Sequence, residues 1–469
     1  MKEQGHCTAV AEVLPAETKE VVSIEVDHQH PLLQLKRALA WEAITAVMVA
    51  AWRAAGKNVD GGRGQKLDIS LYVPLIVLML LKNYHSREME EYLAENVVAR
   101  VFIGRQGELK AQIRDHANIA RVLAALGKDG TEEINGIIVK ESVKLGFADA
   151  EILSADTTAQ ELPIGYPNEP GILRGIAQRC LRAFGKLKKA GKSVKTTVIE
   201  QAKTVLKLVK EHHLFAKTTE EKQKLLKKII TQTNRLMKSS REIIASIGPK
   251  AKPVKQAAAQ TLTEMVEVTK QLIPQIKYWM STGKVAAGKI LHAGISQAKA
   301  IVRNKTGKKV EFGFKYLINR IGGGYLFGLM VLPTQHETTM PLVALSAYRK
   351  IFGDKATPRL LVYDRGGYAQ NTVDKLTLAK VPKIGVQPKG NAPWLIDEPD
   401  RQTVRSERGK MEGIIGTLKS SKYGFNLPKQ RNQETLQAAA QRSILSLNLN
   451  TLCKDVSNQK RSGRIKKAA

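Results

Sequence analysis

The stretch EILSADTT, Glu151 to Thr158, is short and apolar and closes on polar residues, which is the pattern of a buried β-strand. It marks a change of periodicity. Upstream, from 31 to 150, apolar residues recur at helical spacing. LLQLKRALAWEAITAVMVAAWRAA is followed by a Gly-rich break and then by the apolar run ISLYVPLIVLMLL at 69–81. In SREMEEYLAENVVARVF, residues Met89, Leu93, Val97 and Val101 share one helix face. ANIARVLAALG stops at Gly127, and Thr131 is placed to cap a following helix. Two short helices joined this way permit a helix-turn-helix or a plain bundle. Residues 1–30 read as loosely structured.

Downstream of EILSADTT no strand pattern appears for well over a hundred residues. From 175 to 308 the chain is Lys-rich and helical, and its Pro/Gly break SIGPKAKP predicts two helical arms lying outside any sheet. Strand patterns return at 309–319 and 322–332, as a hairpin around Arg320–Gly322. Then come a helix (MPLVALSAYRKIFG), the strand RLLVYD, a helix near 371–379, the strand KIGVQP and a helix over 405–419. A hairpin combined with βαβ crossovers makes an α/β fold with a mixed five-stranded sheet. The expected layout is an all-α N-terminal domain at 31–150, a catalytic domain at 151–174 and 309–440, and the helical insert at 175–308. A C-terminal helix with a flexible basic tail is expected over 441–469.

Bulk properties bound the partners. Of 469 residues 43% are hydrophobic, a globular value, and the formal net charge is +32. That excess calls for a polyanion, most commonly nucleic acid. Residues 181–310 hold 29 Lys and Arg against 7 Asp and Glu, so most of the excess sits there. Three distant cysteines (Cys7, Cys180, Cys453) suit neither a disulfide framework nor a zinc site and fit a reducing cytosol. The start has no signal-peptide core, and the 13-residue apolar run at 69–81 is short of the ~20 residues of a membrane span. The expectation is a soluble cytoplasmic protein with a buried helix at 69–81.

Two acids close apolar strands: Asp156 in ILSADTT and Asp364 in RLLVYDRGGY, where Gly366 and Gly367 keep the carboxylate approachable. Either could instead be a turn cap. The third acid is in SERGKMEGIIGTLK, Ser406 to Lys419. Wound as a helix, it puts Arg405, Arg408, Glu412 and Lys419 within roughly 60° of one another. A separate stripe of Met411, Ile414, Ile415 and Leu418 would dock it. An ordinary Arg408–Glu412 ion pair is the simpler account of that flank. Three carboxylates on one sheet have another use: they hold two Mg²⁺ ions about 4 Å apart, for phosphoryl chemistry. Carboxylate-only ligation suits Mg²⁺ or Mn²⁺ and argues against zinc. His336 and Glu337 read as helix-start residues and Trp394 as core.

Taken together, ADTTAQELPIGYPNEPGIL, VYDRGGY and R-x₃-E-x₆-K (Arg408, Glu412, Lys419) resemble the bacterial insertion-sequence transposases of the DDE class. The helical region from HPLLQLKRAL through YHSREMEEYLAENVVARVF is similar to the segment that precedes their catalytic domain. The resemblance spans roughly 31–175 and 309–450 and leaves out the insert. It implies an RNase H-like catalytic domain with the insert after its first strand. By the same resemblance Asp156, Asp364 and Glu412 would be the metal-binding catalytic triad. Arg408 and Lys419 would contact element-end DNA, together with Arg405, which stands where the family pattern has Tyr. The implied activity is two-metal hydrolysis at terminal inverted repeats followed by strand transfer. It would be carried out by a homodimer or higher oligomer on double-stranded DNA at the bacterial nucleoid. A non-catalytic DNA-binding descendant and a two-metal nuclease without transfer are the alternatives.

Overall fold

The computed structural model describes residues 7–10, 21–61, 66–105, 116–302, 310–332, 334–390, 393–430 and 432–468. Most of the Gly-rich 61–64 run and residue 309 of the first hairpin strand lie outside them. The chain divides into two compact units, one of 1–160, 315–430 and 434–469, the other of 161–314 and 431–433.

The first unit begins with a correction. Within the segment read as loosely structured, β1 (Cys7–Val10) and β2 (Val21–Ile24) pair antiparallel, Cys7 opposite Ile24. Six helices follow: α1 (Pro31–Ala38), α2 (Trp41–Ala54), α3 (Ile69–Lys82), α4 (Ser86–Glu95), α5 (Val97–Phe102) and α6 (His116–Lys144). The apolar run expected as a buried helix is α3, started by Asp68, whose carboxylate accepts the Leu71 N–H at 3.2 Å. It stops at Asn83 in the left-handed region, φ 55°. Gly127, φ 64°, kinks α6 where the sequence broke. Thr131 is not a cap: its hydroxyl donates back to the Gly127 carbonyl at 2.6 Å.

Then come β3 (Ile152–Glu161), the second unit, which includes β4 (Lys299–Val302), and then β5 (Val310–Ile321) and β6 (Tyr325–Met330). The chain continues through α11 (Met340–Phe352), β7 (Leu360–Tyr363), α12 (Gln370–Leu378), β8 (Lys383–Val386), α13 (Glu398–Leu418) and α14 (Gln433–Ala468). β3, β7 and β8 are parallel, and β5 and β6 form the expected antiparallel hairpin, turned at Gly322–Gly324. Along the sheet the order is β4-β5-β3-β7-β8, with β6 also on β5. The sheet therefore has six strands, not five. Leu153, Leu317, Tyr325 and Leu361 of the sheet share one apolar core with Ile76, Ile134, Leu345 and Leu449 of the helices.

β6 lies at an edge, and α14 covers it. Asn448 accepts the Leu326 N–H at 2.8 Å and donates to its carbonyl at 2.6 Å, while Gln441 donates to the Gly328 carbonyl at 2.7 Å. These amides satisfy backbone groups that an edge strand leaves open. The tail expected to be flexible from Lys454 onward instead continues α14 to Ala468. Leu445, Leu449 and Leu452 anchor the helix before that segment, and Val456 is buried within it.

The second unit holds α7 (Glu169–Lys189), α8 (Thr196–Leu214), α9 (Thr219–Ala245), α10 (Pro253–Thr282) and β4. Four helices replace the two expected arms, around a core that includes Phe184, Val205, Ile229 and Leu272. The predicted SIGPKAKP break falls in the α9–α10 turn, and α9 opens with a capping box between Thr218 and Glu221. The strand order also overturns the expectation that the insert contributes nothing to the sheet. β4 pairs antiparallel with the start of β5, Lys299 opposite Gly313. Four residues, KAIV, with Val302 exposed, make a short edge strand too brief to stand out in a lysine-rich run.

Among the described residues no single helix is long and apolar enough to cross a membrane. Cys180 and Cys453 are free thiols.

Candidate active site

Parallel pairing sets the first two acids. Ile152 lies opposite Leu360 and Ser154 opposite Val362, and carrying that register two residues further puts Asp156 level with Asp364. Asp156 does not end its strand, as the sequence suggested, since β3 runs on to Glu161. It stands just past the stretch paired with β7. Asp364 follows β7 directly and caps the short 3₁₀ turn Arg365–Gly367, accepting the Gly367 N–H at 3.3 Å. A Cβ on Gly366 would lie 2.9 Å from the Asp364 carboxylate. A larger residue would push that carboxylate aside.

The third acid arrives on α13, seven residues longer at its start than expected and capped by Asp397. Val404, Met411, Ile415 and Leu418 are buried, so the apolar stripe docks the helix as read. Gly385 of β8 lets α13 come close: a Cβ there would stand 2.6 Å from Val404 Cγ2 and 3.0 Å from the Leu361 carbonyl. With α13 in place, Asp156, Asp364, Glu412 and Arg408 line one open pocket of about 120 Å³, together with Ser154 and Met411. Arg408 and Glu412 line this pocket without pairing with each other.

The remaining expected cations go elsewhere. Arg405 pairs with Glu398 at 3.0 Å near the start of the helix. Lys419 follows the last turn of α13 and lines a different and larger pocket. His336 makes no capping bond, and Trp394 packs beside Leu360, Val362 and Val404 with Arg401 over its ring.

Two acids to which the sequence assigns no such role, Glu407 and Glu337, hold this arrangement. Glu407 lies on the buried stripe of α13, 4% exposed, and pairs with Arg320 of β5 and with Lys410 at 2.7 Å. Ser154 of β3 donates to it at 3.3 Å. Burial pushes the Glu407 carboxyl up, but the Lys410 and Arg320 cations outweigh it and hold it below the usual range. A carboxylate spaced with Val404 and Met411 on an apolar stripe is the signal that could have flagged it. Glu337 follows β6 and accepts from Lys315, from the Tyr363 hydroxyl and from Thr157 Oγ1 at 3.2 Å. Thr157 follows Asp156 and Tyr363 precedes Asp364, so one carboxylate ties the two strands where the acids project. Burial raises the Glu337 carboxyl, and the Lys315 and Tyr363 hydrogen bonds more than reverse it. Burial, then the charge of Glu337, drives the Tyr363 phenol far above its ordinary value, so it remains a neutral donor.

The three acids at the pocket offer carboxylate oxygens, which fit a hard divalent cation. As placed, however, no three His, Cys, Asp or Glu side chains among the described residues are close enough together to hold a metal ion. The class defined so far is an α/β protein with three carboxylates and an arginine on one pocket. Residues 20–124 match the family model described as a transposase domain (DUF772), which supports a transposase family. The matched span takes in α1–α5 and the start of α6 and ends before Asp156. No curated protein and no solved structure matches the chain.

Proposed function

We propose that the protein is a DDE-type transposase that binds the terminal inverted repeats of its element and cleaves and joins DNA with an RNase H-like catalytic unit. The observation that carries this reading is that Asp156, Asp364 and Glu412, spread over more than half the chain, line one pocket with Arg408. The strand order β6-β5-β3-β7-β8, a hairpin on one side and parallel strands on the other, supports the RNase H-like assignment. So do the position of the helical unit after β3 and the transposase-domain match at 20–124.

In this reading Asp156, Asp364 and Glu412 hold the divalent cations, Mg²⁺ with Mn²⁺ as substitute. Bound there, two ions would lower the pKa of the attacking water or 3′-hydroxyl and stabilise the leaving oxygen. The chain's own residues orient the substrate and keep the acids in register. Arg408 offers its guanidinium fork to a phosphate at the pocket mouth. Glu407 and Arg320 fix the turn of α13 that carries Glu412, and Glu337 fixes the strand ends that carry the aspartates. Element DNA and target DNA are the partners, engaged by a homodimer or higher oligomer at the nucleoid.

One observation favours a second reading, a DNA-binding descendant that has lost catalysis: among the described residues no group of three His, Cys, Asp or Glu side chains is placed to hold a metal ion. A supercoiled plasmid carrying the element ends, incubated with protein and Mg²⁺, separates the readings. The transposase leaves 3′-hydroxyl ends and joined products, a simple nuclease leaves cleavage without joining, and a binder leaves the plasmid intact.

A further inference from the structure

A second pocket of the same unit, about 910 Å³, lies between the end of α3, the 419–430 segment and α14. Five Lys or Arg side chains line it against one carboxylate, Glu88. That carboxylate is already engaged, accepting the His85 N–H at 2.8 Å and standing 3.3 Å from His85 Nε2. Arg442, on the α14 side, is different from the surface lysines. It is partly buried, burial pulls its pKa below the ordinary value, and no hydrogen bond or ion pair holds it among the described residues. A partly desolvated cation with no partner gains from an anion brought beside it.

The rest of the wall suits a particular anion. Leu80, Leu427 and Pro428 offer apolar surface between the cations, as a deoxyribose requires, and the volume exceeds a single phosphate. Lys419 lines this pocket and Glu412 lines the acid pocket, both on the α13 segment. Seven residues of helix separate them by about 10 Å, roughly the rise of three nucleotides of one strand at 3.4 Å each.

Resting on the transposase reading, we infer that this pocket binds the sugar-phosphate backbone of a DNA strand next to the phosphodiester at the acid pocket, with Arg442 as its phosphate clamp. The test uses the full-length protein and labelled duplex DNA, with affinity measured by fluorescence anisotropy across a salt series. Each lost phosphate contact makes the slope of log K against log[salt] about 0.9 less negative. Arg442→Met should shift it by that amount, and Arg442→Met with Lys422→Ala and Lys429→Ala by about three times as much, while Arg442→Lys keeps it. Without DNA, Arg442→Met should leave the melting temperature unchanged or raised, because it removes a partly buried charge that makes no hydrogen bond or ion pair among the described residues. A melting temperature that falls, or a wild-type slope in the triple variant, overturns the pocket assignment while leaving the transposase reading intact. Wild-type protein that fails to bind duplex DNA at all overturns that reading and the pocket with it.

Discussion

Removing the Glu407 carboxylate should loosen the helix that carries Glu412. Arg320 and Glu407 form an ion pair whose side chains are 9% and 6% exposed, so neither charge can turn to water when the other is lost. Truncating one member of such a pair costs about 3–5 kcal/mol, mostly because the survivor is stranded. The neighbouring contacts add little. Lys410 is 53% exposed, so its pair with Glu407 is worth at most ~1 kcal/mol. The Ser154 hydroxyl forfeits one acceptor, a loss on the order of 1 kcal/mol. Glu407→Ala is therefore expected to lower stability by about 3–5 kcal/mol in urea denaturation. Faster hydrogen exchange should be concentrated in α13 and β5. Lys410→Ala should cost under ~1 kcal/mol. Replacing both partners with apolar residues, Arg320→Met with Glu407→Leu, should recover most of the loss, since no buried charge is left alone. A Glu407→Ala loss below ~1 kcal/mol, or a double variant as damaged as the single one, would refute the reasoning.

Three further outcomes follow from the same geometry. Glu337 has a carboxyl held below its ordinary value of 4.5, so the stability it adds is present above that pH and is lost as pH falls through the lowered value. The melting-temperature gap between wild type and Glu337→Gln should accordingly narrow below pH 4.5, and a gap constant with pH would count against the bridge. Gly385→Val should destabilise by about 1–3 kcal/mol through overpacking against Val404; an unchanged denaturation midpoint would mean that α13 does not need the close approach. Replacing 175–308 with a Gly/Ser linker should flatten the salt dependence of DNA binding, by a slope of about 5 if six phosphate contacts are lost, whereas an unchanged slope with an altered oligomeric mass would assign those helices to dimerisation.

Much of the fold was legible because the relevant signals are local. The uniformly apolar run at 69–81, the stripe from Met411 to Leu418 and the Gly pair after Asp364 each state their structural role within a few residues. The hairpin at Gly322–Gly324 and the alternation of strands and helices from 310 onward are equally local. What escaped depends on partners remote in sequence. Glu337 reads as a helix-start acid until Lys315, Thr157 and Tyr363 are brought around it, and Glu407 gains its role only when Arg320, 87 residues away, meets it. β4 is a strand only because β5 offers it an edge. The division of cations between two pockets was hidden for a related reason. Arg408 and Lys419 share a helix face, but the 419–430 segment and α14 build a second site around the end of that helix.

The most direct test of the central claim is cleavage of end-labelled element DNA in Mg²⁺ by wild-type protein and by Asp156→Asn, Asp364→Asn and Glu412→Gln. End binding is measured alongside to confirm that each variant still holds its substrate. Wild type is expected to cut, and all three variants to bind nearly as well but not to cut. Cleavage above about one per cent of wild type by any variant would remove that residue from the triad. Three variants that cut normally would contradict the assignment of the pocket itself.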